Sequence, residues 1–292
     1  MLTREEFQNK IQNGLHFLDG ATGSNLRNAG MPRGCCTEEW CINHPEAIMD
    51  LQRRYAAAGS QIIYAPTFQA QPVALKEVGL EKQTEAINAM LVALSRKAAP
   101  DCLIAGNLTT LATYLDSYES AVFDTLVDNY RRQIVGLMEG GADLLAAETL
   151  LYPQDAEAIL TAAELEGAGA VTYTFTMQPD GSLFSGMDAI GVLKDLEEAG
   201  AAAVGFNCVA ADEYMPALVS KLRRRLKGPI ICKPNAGIPT IVEGGIAEYP
   251  MGPAEFAAIQ KNCFEMGAAL LGGCCGTAPE FIRAMVDAVE GK

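Results

Sequence analysis

Short apolar runs and longer stretches with helical periodicity take turns along the whole chain. Eight runs read as strands: His16–Asp19, Gln61–Ala65, Leu103–Asn107, Leu144–Glu148, Ala170–Phe175, Ala203–Asn207, Ile230–Pro234 and Ala268–Gly272. They are nearly unbroken in Ala, Val, Ile and Leu, the pattern of parallel strands covered on both faces. Between them, apolar positions three and four apart predict helices near Glu46–Ala58, Thr84–Ala98, Tyr118–Glu139, Gln154–Glu166, Ala189–Glu198, Glu213–Arg225, Ala254–Met266 and Pro279–Glu290. Gly59, Gly141, Gly167, Gly200 and Gly267 stand where a helix gives way to the next strand, the place for a left-handed stop. Thr3-Arg4-Glu5-Glu6 reads as a capping box opening an amphipathic helix that runs toward Asn13.

Eight strands, each followed by a helix, predict an α/β protein of the (β/α)8 TIM-barrel class. The expected organisation is one barrel domain over residues 1–292 with a short N-terminal helix. A doubly wound open sheet is the alternative. No Gly-x-Gly-x-x-Gly follows a strand, which weighs against a dinucleotide site. The stretches Gly30–Gly34 and Asn235–Gly252 read as long loops at strand ends.

Composition narrows the function classes. Apolar residues make up 49%, enough for a large core, and there is no low-complexity segment. A net charge of -14 argues against nucleic acid, whose binding depends on Lys and Arg neutralising phosphates. The basic run Lys221 to Arg225 reads as a solvated helix face. With no long apolar span and no signal-peptide pattern, a cytoplasmic protein without a membrane partner is expected.

The chemistry gathers at predicted strand ends, where barrel active sites form. Those ends carry Asp19-Gly20-Ala21-Thr22-Gly23, Glu148, Asn207-Cys208, Pro234-Asn235-Ala236-Gly237, and Cys274-Cys275 within Gly272-Gly273-Cys274-Cys275-Gly276-Thr277. Glycines around Cys274 and Cys275 would let both sulfurs face one ion, and Cys208 could supply a third thiolate for an open zinc site. A vicinal disulfide or buried apolar thiols are the competing readings. Asp19 and Glu148 suit an ammonium group or acid–base chemistry, and equally helix capping or a solvated loop. Amides of Gly20 to Gly23 could form a small anion nest.

Nine cysteines, an odd count without a secretion signal, argue against a disulfide framework. Cys35, Cys36 and Cys41, with Trp40 among them, read as a lid or packing, with a second metal site as the third option. Cys102, Cys232 and Cys263 read as core. His16 and His44 stand away from the strand ends and read as structural.

On Leu18–Gly23, Gly205–Cys208, Pro234–Gly237 and Gly272–Thr277, the chain resembles the homocysteine S-methyltransferase family, which includes the homocysteine-binding module of cobalamin-dependent methionine synthase. The resemblance runs from about Gly14 to the end, and the last segment is the most specific. It implies a zinc barrel with Cys208, Cys274 and Cys275 as ligands and catalytic centre. It places Asp19 and Glu148 at the amino-acid end of homocysteine, the Gly20 and Ala21 backbone at its carboxylate, and Asn235 beside the metal. Homocysteine sulfur would take the open zinc position as a thiolate and attack an electrophilic methyl group, giving methionine.

The donor is less determined. Ala105–Thr110 lacks the Gly-Pro pair of many relatives, and Pro66 stands where many have asparagine. Betaine-using relatives carry a tyrosine near Gln69; together these departures weigh against betaine. No cobalamin- or folate-binding domain is expected in this chain, so a separate corrinoid protein or a small sulfonium such as S-methylmethionine is the expected donor, the former slightly favoured. Another thiol or selenol acceptor such as selenocysteine, and a non-catalytic zinc- or thiol-binding subunit of a corrinoid complex, are the alternatives.

Overall fold

The structure is a computed structural model that describes residues 1–111, 114, 120–178, 181–242 and 246–292. Seven strands form one parallel sheet: β1 (Ile62–Tyr64), β2 (Leu103–Leu108), β3 (Leu144–Leu150), β4 (Val171–Phe175), β5 (Ala203–Ala210), β6 (Ile230–Asn235) and β9 (Leu270–Leu271). The remaining two, β7 (Thr240–Val242) and β8 (Ile246–Glu248), make a separate antiparallel hairpin.

The predicted first strand, His16–Asp19, is reduced to two bridged residues. Phe17 pairs with Leu271 of β9 and Leu18 with Ile62 of β1, both parallel. Leu18 N–H donates to the Leu271 carbonyl at 2.7 Å, and Gln61 N–H donates to the Phe17 carbonyl at 2.7 Å. This short segment closes the seven-stranded sheet into a ring of eight, the TIM-barrel arrangement. A closed ring leaves no unpaired edge for another strand to join.

The helices follow the predicted order. Thr84–Ala98, Ala189–Glu198 and Pro279–Glu290 match their expected bounds, the other expected helices start or stop within two residues, and the short helices Gly23–Asn28, Thr37–Asn43 and Pro72–Leu75 were not expected. The helix expected from Tyr118 is described from Ser120, its first two residues lying outside the described ones. All five predicted glycine stops have left-handed φ, from 65° to 108°. One expectation fails: Asn235–Gly252 is not simply a loop, because the β7–β8 hairpin lies within it. Residues 243–245 of that stretch are outside the described ones.

Two apolar layers hold the barrel. The larger lies between the sheet and its helices. The smaller fills the barrel interior with Leu18, Ile62, Tyr64, Ala105, Leu144, Ala146, Ala203, Ile231 and Leu270. The N-terminal helix Arg4–Gln12, started by the predicted capping box at Thr3 and Glu6, adds Phe7 and Ile11 to this inner layer and stops the end where the strands begin. Leu2 ties it there, its N–H donating to the Asp143 carbonyl and its carbonyl accepting from Ala170 N–H, both at 2.7 Å. Side chains two apart on a strand share a face. The step from Ala105 to Asn107, Ala146 to Glu148, and Ile231 to Lys233 therefore turns the interior from apolar to polar toward the strand ends.

Phe7 is fully buried at the stopped end. Phe7→Ala is expected to cost about 3 kcal/mol by removing a large core side chain. Urea unfolding of the two proteins measures it.

Candidate metal centre and substrate pocket

Cys208 is placed by a break in β5. The β5–β6 register shifts between Asn207 and Ala210, and Cys208 has φ of 57°. A non-glycine residue in that region costs about 1–2 kcal/mol. The bulge turns the Cys208 side chain off the strand's regular alternation. β3 breaks likewise between Ala147 and Leu150, with Thr149 at φ 58°. Asn207 joins the two breaks: its Oδ1 accepts from Thr149 N–H at 2.8 Å, and its Nδ2 donates to Thr149 Oγ1 at 2.6 Å. Nδ2 also lies 3.8 Å from the Cys274 sulfur.

The Gly272–Thr277 loop is pinned on two sides. Gly272 N–H donates to Cys232 O, Cys274 N–H to Pro234 O, and Cys275 O accepts from Ala236 N–H, all within 3.1 Å. On the other side Gly273 N–H donates to Asp19 O at 2.9 Å. Thr277, almost wholly buried, accepts from Ala21 N–H at 3.1 Å and donates to Cys274 O at 2.7 Å. Gly276 has φ of 80°, and a Cβ there would collide with the Tyr249 side chain. A Cβ on Gly20 would sit 2.7 Å from the Tyr55 hydroxyl and 2.8 Å from Thr277 Oγ1.

Three sulfurs from two distant parts of the sequence thus meet. Cys208 Sγ lies 3.0 Å from Cys274 Sγ and 3.8 Å from Cys275 Sγ. Among the described residues these are the His, Cys, Asp and Glu side chains whose donor atoms cluster as a metal site would, all within 4.8 Å of one another. All three cysteines are free. Hydrogen bonds from Cys208 and Cys274 bring the Cys275 thiol down to about 3, with Tyr249 adding to the effect. The Cys208 thiol is pushed up to about 12: its hydrogen bond to Cys274 lowers it, but its contact with Cys275, burial and nearby charge outweigh that. Mutual contact and burial hold the Cys208 and Cys274 thiols up and oppose ionising all three together. Soft thiolate donors of this kind select soft divalent metals.

Asn235 donates from Nδ2 to Cys208 O at 3.1 Å and leaves its buried Oδ1 without a partner in the protein. It lies next to the cysteines but does not line the cleft. That cleft, about 370 Å³, is bordered by Asp19, Gly20, Ala21, Glu148 and all three cysteines. Of the expected anion-binding amides, Ala21 N–H is already spent on Thr277.

Lys233, which is not among the expected site residues, lies between the two carboxylates. Its Nζ is 3.4 Å from Asp19 Oδ1 and 3.2 Å from Glu148 Oε2, and stands 3.7 Å over the Tyr64 ring. Asp19 Oδ2 accepts from Tyr64 N–H at 2.8 Å, and Glu148 Oε1 from Asn107 Nδ2 at 2.9 Å. Burial raises the Asp19 carboxyl to about 6 against the opposing pull of Lys233. Burial lowers the Lys233 ammonium, but Glu148 and Asp19 overcome it and leave the ammonium held above its ordinary range. The sequence signal was a single lysine inside the otherwise apolar run Ile230–Pro234. Asn207 and Thr277 lay within the strand-end segments without a role assigned to them, and Tyr249 carried no signal.

The other cysteines divide as expected. Cys41, Cys102, Cys232 and Cys263 are buried. Cys36 donates to Glu38 Oε2 at 3.4 Å and Cys35 to Pro32 O at 3.1 Å, while Thr37 and Glu38 border the cleft. His16 Nδ1 lies 2.9 Å from Ala269 O, and His44 stacks on Trp40.

A closed barrel thus carries three sulfurs and a carboxylate pair at one mouth. The homocysteine S-methyltransferase family model matches residues 16–289, and the chain belongs to that family. It is 27% identical over 290 residues to methionine synthase of Mycobacterium leprae (strain TN), covering 93% of this chain and 24% of that protein. The corresponding protein of Mycobacterium tuberculosis (strain ATCC 25618 / H37Rv) gives the same figures. The chain thus spans about a quarter of the length of the curated relatives it matches. The metallated form of the homocysteine methyltransferase MmuM from Escherichia coli superposes with a TM-score of 0.81 at 26% identity, covering 96% of this chain and 98% of that one. Among the described residues no helix is long and apolar enough to cross a membrane.

Asn207→Ala removes the clasp between the two strand breaks. Divalent-metal affinity is expected to fall at least about tenfold, the usual loss when a group orienting a ligand is removed. Competition against a chromophoric chelator reads it.

Proposed function

We propose that the protein is a zinc-dependent homocysteine S-methyltransferase, with Cys208, Cys274 and Cys275 as the zinc ligands. The observation that carries this reading is the meeting of three free thiols beside Asp19 and Glu148 in one cleft. Sulfurs around a tetrahedral zinc stand about 3.8 Å apart, given zinc–sulfur bonds of about 2.3 Å. The 3.8 Å between Cys208 and Cys275 matches this, and the 3.0 Å to Cys274 requires only a small outward shift. The unpartnered Oδ1 of Asn235 supports a polar or cationic neighbour at that spot. When bound, zinc supplies a soft Lewis acid that keeps an acceptor thiol ionised near neutral pH.

The protein's own residues do the rest. The Asn207 clasp and the Gly272–Thr277 loop hold the three sulfurs convergent. Glu148, the cleft carboxylate that keeps some exposure, faces the amino-acid end of homocysteine, with Asp19 behind it. The Gly20 and Ala21 backbone borders the position of the acceptor carboxylate. The acceptor sulfur forms a bond to the methyl carbon as the bond from that carbon to the donor breaks, giving methionine. The donor is a methylcorrinoid protein or a sulfonium of the S-methylmethionine type, reaching the sulfur past exposed Arg27 and Gln69.

Cys208→Ala and Cys275→Ala are expected to lose zinc and methyl transfer while keeping the barrel's circular dichroism. Full zinc occupancy in both purified variants would remove them as ligands. Glu148→Gln is expected to raise the homocysteine KM about fivefold, the scale of one partly exposed ion pair, with zinc content unchanged. Steady-state kinetics and metal analysis of the same preparation check both.

A further inference from the structure

Two carboxylates at the end of a cleft are a ready receptor for a substrate ammonium group, provided the space between them is free. Here it is filled. The Lys233 ammonium bridges Asp19 and Glu148, and its remaining face lies against the Tyr64 ring. The far oxygen of each carboxylate is taken by Tyr64 N–H and by Asn107. Asp19 and Lys233 are only 2% and 3% exposed at their side chains, against 12% for Glu148. An incoming ammonium group therefore cannot bridge the pair. It reaches one edge of Glu148, in a site whose two negative charges are already half neutralised.

We propose that Lys233 is a specificity-determining residue: a resident ammonium that takes the place of the substrate's, so that the site accepts thiols lacking an α-ammonium group, ω-mercaptocarboxylates among them. The proposal rests on the preceding reading that the cysteines hold a metal and receive a thiol. What it adds is that the amino group of the acceptor contributes little. The thiol, the carbon chain and the carboxylate do the recognising, with the α-amino group left as a weak surface contact.

The test compares two probes that differ only at the amino group, homocysteine and 4-mercaptobutanoate, titrated calorimetrically into the zinc-loaded protein. Lys233 predicts that 4-mercaptobutanoate binds no more than about tenfold more weakly than homocysteine, the range of a single partly exposed ion pair. A preference for homocysteine of about 100-fold or more, the scale of a buried charge-assisted contact, overturns the proposal and leaves the homocysteine reading intact. Binding of 4-mercaptobutanoate without binding of homocysteine upholds the proposal and overturns that reading. Binding of neither overturns both. Lys233→Met opens the space between the carboxylates and is expected to widen the homocysteine preference at least about tenfold over the parent protein. An unchanged ratio in a folded variant also counts against Lys233. The comparison on the parent protein decides the question even if this variant does not fold.

Discussion

Everything at the mouth of this barrel depends on the ring being closed. Residues 19, 148, 208, 233 and 274 are scattered across the sequence and have no local reason to meet. Parallel pairing carries each strand to the same end, but an open sheet would leave Asp19 and Cys274 at one edge and β3 far from them. The bridges of Phe17 to Leu271 and Leu18 to Ile62 are what bring the edges together. They do so with very little strand, so the burden passes to what surrounds them: hydrogen bonds from Gly272 and Gly273, and the Thr277 hydroxyl between Ala21 and Cys274.

Closure brings the strands together but does not aim the side chains. Regular alternation would send adjacent Cys274 and Cys275 to opposite faces and Cys208 away from Asn207. The chain leaves regular geometry at both places. The Cys274–Cys275 pair lies in a loop that ends at left-handed Gly276, and Cys208 itself takes a left-handed conformation. Strain of this kind survives when its surroundings determine it from several sides. The Asn207 clasp to Thr149, the Asn235 contact with the Cys208 carbonyl and the Ala236 contact with the Cys275 carbonyl do that here.

Much of the fold was legible because its signals are local. Strands buried on both faces are written as apolar runs, and helices that stop before them end in glycine. The exceptions have physical reasons. His16–Asp19 reads as a strand because it is apolar, yet it pairs through single bridges. The β7–β8 hairpin reads as a loop because Thr240 and Ile241 are exposed and no core pattern marks them. The cysteines and carboxylates of the candidate site could be named from their strand-end positions. Lys233 could not, since its meaning comes from two carboxylates on other strands. The breaks at Thr149 and Cys208 were equally hidden, because a left-handed turn at a residue other than glycine leaves no mark in composition.

The N-terminal helix that plugs the barrel with Phe7 and Ile11 also sets the traffic through it. A vessel stopped at its floor has one doorway. Whatever sits at the cysteines must come and go through the mouth that exposed Arg27 and Gln69 border.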